Sequence, residues 1–272
     1  LRVEAASPLR YNYQALLRNE EEGSSLYMQA EFTQALVEGF KDLYPNITLQ
    51  FIDDGWGASL WQQQQLYIRD WQQGQTPQID LLIGETYMGY MAENGVFAAL
   101  DSTKFEDVVE IAYSDMVVEN SDGSSSLYGV PMDTGILGLQ YNTEILREAG
   151  IPEEQWEPAT WSELLNNCRI VAKYAEEHGK DYTGIIMNAL RSESSAIRAL
   201  PFMRAAGGDF LDESGNFNLS SEENIEAFTF LRSLAQYTDT NILQETNEDN
   251  VQRAFTEGGA AYFVEGQWTM VG

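Results

Sequence analysis

The chain has 272 residues, of which 43% are hydrophobic and 12% aromatic, so its length fits about two domains and its composition excludes intrinsic disorder. A formal net charge of −28 argues against binding to nucleic acid or to anionic membrane surfaces, because both are negatively charged themselves. With one cysteine and one histidine, Cys168 and His178, the chain has no intrachain disulfide and no cysteine–histidine zinc site, and no cofactor is expected.

The first half of the chain alternates predicted strands and helices. Strands are predicted over 9–17, 47–52 and 79–84, with helices between them and another helix over 101–120. The first helix should begin at Ser24 or Ser25. Its predicted core face consists of Phe32, Leu36, Phe40 and Leu43. Such alternation requires crossover connections and predicts a mostly parallel sheet flanked by helices.

Polar and aromatic residues follow two of these strands at their carboxyl ends. Asp54 and Trp56 follow the second strand, and Glu85, Thr86 and Tyr87 follow the third. Ligands of parallel sheets bind beyond the carboxyl ends of the strands, so these residues are predicted to share one rim. Trp56 lies between two glycines and could either contact a ligand or pack internally.

The segment 128–142 combines an apolar strand with glycines and a single carboxylate, Asp133. Burying that carboxylate costs about several kcal/mol unless it is paired. Asp133 therefore either belongs to a turn or salt bridge, or lies where the chain crosses between two lobes and faces a cleft. Asn142 is predicted to cap a helix that Gly150 ends.

Two capping-box patterns, Thr160–Glu163 and Ser220–Glu223, predict helix starts in the second half. The first helix should carry Cys168 as a packed core thiol rather than a reactive one. The second helix should bury Ile225, Phe228, Leu231 and Leu234. A strand over 183–188 leads into a polar loop with Arg191, and a strand over 260–264 leads to Trp268.

Four blocks of sequence occur in an order typical of one protein family. They are residues 40–49, 95–101, 129–164 and 255–268. The last reads Phe-Thr-Glu-Gly-Gly-Ala-Ala-Tyr-Phe-Val-Glu-Gly-Gln-Trp and resembles the pattern F-x-x-G-x-A-A-M-x-x-x-G-x-W. In these blocks the chain is similar to the extracellular solute-binding proteins of ABC importers, in the carbohydrate-binding, maltose-binding-protein-like branch (family 1).

The resemblance implies an α/β, type II periplasmic-binding-protein-like fold with two hinged lobes, each a mostly parallel sheet flanked by helices. It places the N-terminal lobe at 1–127, the hinge crossing at 128–135 and the C-terminal lobe at 136–272. Relatives continue beyond the tryptophan and recross the hinge, so both lobes are expected to be incomplete in this chain. The family's Pro-Asp pattern is displaced by two residues in Pro77-Gln78-Ile79-Asp80, which leaves the register of 85–87 open by about one residue.

The resemblance also assigns roles to residues. Trp268 is implied to stack on a sugar ring, and Asp133 and Thr134 are implied to face the cleft. The whole predicted ligand-binding set is Asp54, Trp56, Glu85, Thr86, Tyr87, Asp133, Thr134, Asn188, Arg191, Gly266 and Trp268. Individual contacts in the loops 18–25 and 188–194 are not assigned.

The implied function is a monomeric, non-catalytic carrier. It would deliver a sugar, oligosaccharide or sugar-like solute to the permease of an ABC transporter, from a periplasmic or extracellular location, with lipoprotein anchoring through a segment absent from this chain as one option. An alternative is a glycosidase-like enzyme that pairs Asp133 with Glu85 or Glu193, which would need carboxyl groups about 5–10 Å apart. A receptor or docking module on the same fold is a further alternative, and the acidic composition would also suit a small cationic ligand.

Overall fold

The computed structural model describes residues 2–5, 25–52, 58–76, 78–84, 88–101, 116–120, 122–131 and 135–271. The chain divides into two units, Leu1–Thr134 and Gly135–Gly272. This division falls inside the segment 128–135, for which the sequence predicts a hinge crossing; the assignment of lobes and hinge stays a prediction. Among the described residues, no helix has both the length and the apolar character that crossing a membrane requires.

The first unit contains a three-stranded parallel sheet in the order β2–β1–β3. Its strands are β1 (Arg2–Ala5), β2 (Gln50–Ile52) and β3 (Leu81–Ile83). Its helices are α1 (Ser25–Leu43), α2 (Ala58–Gln72) and α3 (Met88–Glu93). In the central strand Val3 pairs with Phe51 on one side and Leu81 on the other, which confirms the parallel pairing that the alternation predicts. The predicted strand over 9–17 lies outside the described residues.

Helix α1 turns a different face inward from the one that its sequence pattern predicts. Ala30 and Thr33 are 1% and 0% exposed, whereas Phe32 and Leu43 are 54% and 76% exposed. Because neighbouring residues are about 100° apart around a helix, burying Thr33 instead of Phe32 rotates the inward face by one residue. The predicted core face is therefore wrong for Phe32, Leu36 and Leu43.

An antiparallel hairpin of β4 (Val117–Glu119) and β5 (Ser125–Leu127) ends the described part of the first unit. The prediction of helix up to Asn120 is wrong at its end, because 117–119 is a strand; residues 102–115 lie outside the described residues. Asn120 Nδ2 donates to the hydroxyl oxygens of Ser124 and Ser126 at 3.0 and 2.8 Å. Side-chain hydrogen bonds of this local kind favour a turn over a further helical turn.

The second unit contains a mixed sheet in the order β6–β8–β7. Its strands are β6 (Leu137–Tyr141), β7 (Thr183–Ile186) and β8 (Ala260–Gly266). Its helices are α4 (Thr143–Glu148), α5 (Trp161–His178), α6 (Glu193–Ala205), α7 (Glu222–Leu234), α8 (Thr240–Leu243) and α9 (Glu248–Thr256). The central strand β8 is buried throughout, antiparallel to β6 and parallel to β7. The mostly parallel sheet that the sequence predicts therefore holds for the first unit but not for this one.

Two of the capping signals predicted in the second unit, at Asn142 and at Thr160, are confirmed. Asn142 Oδ1 accepts hydrogen bonds from the backbone N–H groups of Glu144 and Ile145 at 3.0 and 3.1 Å, and Gly150 ends that helix with a φ of 76°. Thr160 and Glu163 form the reciprocal capping box of α5. The α-helical propensity of these segments is weak evidence alone, but satisfied end groups fix where each helix begins.

Helix α7 begins one residue later than its pattern predicts. Its N-cap is Ser221, whose hydroxyl accepts from the backbone N–H of Asn224 at 3.2 Å. The Asn224 side chain is itself buried, and it donates to the carbonyls of Asp209 and Asn218 at 2.8 and 2.7 Å. This anchorage turns Asn224 inward and leaves Ile225 55% exposed. The predicted core positions are confirmed for Leu231 and Leu234 and wrong for Ile225 and Phe228.

Cys168 is fully buried on α5, as a core thiol should be. Its neighbour across the helix–strand contact is Gly184, where any Cβ would come within 2.8 Å of the Cys168 side chain. Burial raises the pKa of the thiol far above its ordinary value. The prediction of a packed rather than reactive cysteine is confirmed.

Candidate functional site

One edge of the second sheet gathers the carboxyl ends of β7 and β8 and the amino end of β6. Leu137, the first residue of β6, pairs with Gly266, the last of β8, while Ile186 at the end of β7 pairs with Phe263. Ligands of α/β sheets bind beyond the carboxyl ends of the parallel strands. A binding surface of the second unit is therefore expected at this edge, around Gly266.

Trp268 stands at this edge, on a short 3₁₀ helix (Gln267–Val271) that follows β8 directly. Its indole lies over Gly266, where an added Cβ would overlap the six-membered ring, and its Cζ3 would lie 3.3 Å from a Cβ on Gly135. Because neither glycine has a side chain, the ring packs directly against their backbones. Trp268 is nevertheless 48% exposed, so part of its aromatic surface faces solvent. Gly266 serves here to let the indole fold back onto its own strand.

Polar contacts hold this turn in place. Gln267 Oε1 accepts from the Ile136 backbone N–H at 2.8 Å, and Gln140 Nε2 donates to the Gly266 carbonyl at 2.8 Å. The Thr269 hydroxyl lies 2.9 Å from the same carbonyl and 2.8 Å from Gln140 Oε1, so its single proton serves one of the two. The backbone beneath Trp268 is consequently fixed from both β6 and the 3₁₀ helix.

Asn188 follows β7 and is buried, with 7% exposure. Its Oδ1 accepts from Arg198 Nη1 at 2.8 Å and its Nδ2 donates to Glu248 Oε1 at 3.0 Å. Each end of the amide therefore already has a partner inside the unit. Arg191, by contrast, is exposed in the loop that follows, and no ion pair to it is seen among the described residues.

The other predicted site residues lie outside the described residues. They are Asp54, Trp56, Glu85, Thr86, Tyr87, Asp133 and Thr134. Of the predicted set, the structure therefore brings Gly266 and Trp268 into contact and connects Asn188 to the same edge through Arg198. In the ranges described, no group of three His, Cys, Asp or Glu residues is arranged to hold a metal ion.

Two charged residues of this edge, Arg198 and Glu265, do not figure in the residues that the sequence patterns select. Only Glu265 carried a signal, because it directly follows the apolar run Ala260–Val264. A single charge in an apolar run needs a partner when it is buried. The opposite signs of the two charges could have suggested that they pair, but not where they meet.

Comparison with known proteins places the chain in a family. The model of the family described as bacterial extracellular solute-binding protein matches residues 25–271. The lactose-binding protein of Rhizobium radiobacter is 28% identical over 176 residues, which cover 64% of this chain and 38% of that protein. The arabinooligosaccharide-binding protein of Halalkalibacterium halodurans is 32% identical over 107 residues, or 39% of this chain and 22% of that protein. The chain thus spans well under half of the length of either relative.

Solved structures agree on the fold. Maltose-bound MalE3 of T. maritima matches with a TM-score of 0.70 at 21% identity, over 99% of this chain and 61% of that one. A solute-binding protein of Thermotoga lettingae TMO bound with alpha-D-tagatose matches with a TM-score of 0.74 at 17% identity, over 100% and 63%. These neighbours confirm the α/β, type II periplasmic-binding-protein-like fold. Since the family model covers the chain from residue 25 to residue 271, the chain belongs to the bacterial extracellular solute-binding protein family.

Proposed function

We propose that this chain captures a sugar, an oligosaccharide or a sugar-like solute, and that Trp268 is the surface on which a sugar ring stacks. The observation that carries the proposal is the exposed indole of Trp268, held over Gly266 and Gly135 at the carboxyl edge of the second sheet. Relatives described as binding lactose and arabinooligosaccharides, and neighbours with bound maltose and tagatose, support a carbohydrate as the ligand class.

The chemistry of a sugar suits such a surface. A pyranose ring presents an apolar face of C–H groups, which packs on an aromatic ring, and a rim of hydroxyl groups, which needs hydrogen-bond partners. A stacked ring contributes about 0.5–1.5 kcal/mol beyond the area that it buries. Hydrogen bonds from hydroxyl groups to charged side chains contribute about 1.5–3 kcal/mol each.

The remaining members of the predicted set would supply those hydrogen bonds. We assign this role to Asp54, Glu85, Thr86 and Tyr87 on the rim of the first unit, to Asp133 and Thr134 in the crossing, and to Arg191 in the second unit. Trp56 would add a second aromatic surface. Asn188 belongs to the same predicted set, but both ends of its amide already have partners inside the unit.

The wider role follows from the family. We infer a monomeric carrier whose lobes close on the sugar and release it to the permease subunits of an ABC transporter, without turnover of the sugar. A periplasmic or extracellular location fits the family description. Anchoring as a lipoprotein would keep such a carrier beside its permease.

Calorimetric titration with a panel of maltose, lactose and arabinotriose tests the stacking role. Trp268→Ala should weaken binding of whichever sugar binds by at least about tenfold, because it removes the stacking surface. Trp71→Ala is the matched control: Trp71, in the last turn of α2, is 44% exposed, lies against Gly95 and is not in the predicted ligand-binding set. Equal affinities of the parent and Trp268→Ala would contradict the proposal.

A further inference from the structure

A buried ionic cluster lies behind the edge that carries Trp268. It consists of Arg198, Glu265, Asn188 and Glu248, and we call it the Arg198 cluster. Arg198 and Glu265 are 8% and 3% exposed. Arg198 Nε donates to Glu265 Oε2 at 3.0 Å, Nη2 donates to the same oxygen, and Nη1 donates to Asn188 Oδ1 at 2.8 Å.

Glu248 completes the cluster from the first turn of α9. Its Oε2 lies 2.8 Å from Arg198 Nη1 as an ion pair, although the angle makes no hydrogen bond, and its Oε1 accepts from Asn188. The Arg198 guanidinium also lies 5.0 Å from the centroid of the Phe263 ring, in cation–π range. One arginine therefore joins α6, the end of β7, α9 and β8 at the carboxyl edge of the sheet.

The cluster is connected to Trp268 through the peptide at Gly266. Glu265 uses its second oxygen, Oε1, to accept from the Gly266 backbone N–H at 3.0 Å. The carbonyl on the other side of Gly266 accepts from Gln140, as described above. Both backbone polar groups of Gly266, on which the indole packs, thus have hydrogen-bond partners. The partner of its N–H is the Glu265 carboxylate, which also binds Arg198.

We propose that Arg198 and Glu265 are positioning residues for Trp268, and that Asn188 contributes to sugar binding by supporting them rather than by touching the sugar. The carboxylate of Glu265 fixes the Gly266 peptide, and the arginine fork fixes the carboxylate in the one orientation that leaves Oε1 on Gly266. Nε and Nη2 of Arg198 both donate to Oε2, so the guanidinium holds that oxygen and leaves Oε1 to accept from the Gly266 N–H. This inference rests on the proposed function only for the claim that Trp268 binds a sugar. The positioning of the indole does not depend on that claim.

Fluorine NMR of the full chain labelled with 5-fluorotryptophan reports on Trp268 without any sugar. The chain has six tryptophans, and loss of one resonance in Trp268→Phe assigns the signal. Glu265→Gln should shift or broaden the Trp268 resonance while leaving the other five in place. Arg198→Met with Glu265→Met serves as a second variant, since it removes the buried ion pair and leaves only Glu248, whose side chain is 31% exposed.

The matched control is Asn167→Ala. Asn167 is also buried and also bonds to β8, through the Tyr262 hydroxyl at 2.9 Å, but at a distance from Gly266 along the strand. It should lower the melting temperature without moving the Trp268 resonance. The inference is overturned if the Trp268 resonance stays in place in both cluster variants, or if Asn167→Ala moves it equally.

Sugar titrations complete the test as a double-mutant cycle. With maltose, lactose or arabinotriose as the probe, Glu265→Gln should weaken binding about tenfold in the parent and cause no further loss in Trp268→Ala. Additive losses in the two backgrounds would overturn positioning through Trp268. If Trp268→Ala alone left the affinity unchanged, the proposed stacking role would fail, while the fluorine spectra would still decide whether the cluster positions the indole.

Discussion

Each unit has a glycine at the carboxyl end of a sheet strand, and different side chains pack over the two glycines. In the first unit Gly84 follows β3, and an added Cβ would lie 3.1 Å from the flexible Met88 side chain and 3.2 Å from the Gln64 amide nitrogen. In the second unit β8 ends at Gly266, which the rigid indole of Trp268 covers. The first edge can adjust to a change of shape, whereas the second presents a fixed aromatic surface.

The buried polar groups behind the two edges also differ in how many hydrogen-bond partners they have. Gln64 is 0% exposed, and within the described parts of the chain neither atom of its amide has a hydrogen-bond partner. Arg198 is nearly as buried, yet it has acceptors on three of its nitrogens. An unpartnered buried amide costs about 1–3 kcal/mol. The buried polar groups of the second edge are therefore better satisfied than Gln64, although Glu248 Oε2 there has an ion pair and no hydrogen bond.

The largest expected effect comes from breaking the organised edge. Arg198→Met should lower the free energy of unfolding by about 3–5 kcal/mol, because it leaves Glu265 as an uncompensated buried charge. Arg198→Met combined with Glu265→Met should recover most of that loss, since the one charge left in the cluster, Glu248, has a side chain that is 31% exposed. Urea denaturation measures both. Equal losses in the single and the double variant would show that packing, not charge, determines stability at this edge.

Substituting Gly266 and Gly84 by alanine should give a smaller difference in stability. Gly266→Ala should cost about 1–3 kcal/mol, because its Cβ overlaps a rigid ring that has to move as a whole. Gly84→Ala should cost under about 1 kcal/mol, since the Met88 side chain can rotate away. Melting temperatures of the two variants test this order, with Gly138→Ala in β6, where nothing lies within 4 Å of the added Cβ, as the control. The reverse order would remove the contrast between a flexible and a fixed edge.

The smallest effect concerns the buried amide of the first unit. Gln64→Met keeps the length of the side chain and removes the unsatisfied polar atoms, so it should raise the free energy of unfolding by about 1 kcal/mol. Gln140→Met is the opposite control, because both ends of that amide have partners at Gly266 and Thr269, and it should be destabilising. A loss of stability in Gln64→Met would mean that its amide finds a partner in the protein, and the comparison of the two edges would fail.

The sequence could predict those features whose interacting residues lie close together in the chain or belong to a known pattern. The caps at Asn142 and Thr160 were readable because the donor and acceptor lie two or three residues apart in the chain. The exposed tryptophan was readable because it belongs to a family pattern. The parallel pairing in the first unit followed from the alternation of strands and helices, since parallel strands require crossovers, but the order of the strands did not.

What the sequence could not predict depends on distant partners or on a shift of one residue. The inward face of α7 differs from the predicted one because the Asn224 side chain donates to the carbonyls of Asp209 and Asn218, and periodicity does not record such contacts. The pairing of Arg198 with Glu265 joins residues 67 apart in the chain. Patterns indicate that a lone charge needs a partner, but only the packing of α6 against β8 decides which partner it meets.

The burial of Cys168 has a practical consequence for labelling chemistry. A thiol reacts with maleimides as the thiolate, and Cys168 is both inaccessible and strongly disfavoured from ionising while the chain is folded. Since the sequence contains no other cysteine, a cysteine introduced on the surface becomes the single reactive thiol of the native protein. An environment-sensitive dye attached beside Trp268 would then test the proposed sugar binding optically, without first removing Cys168 from the core.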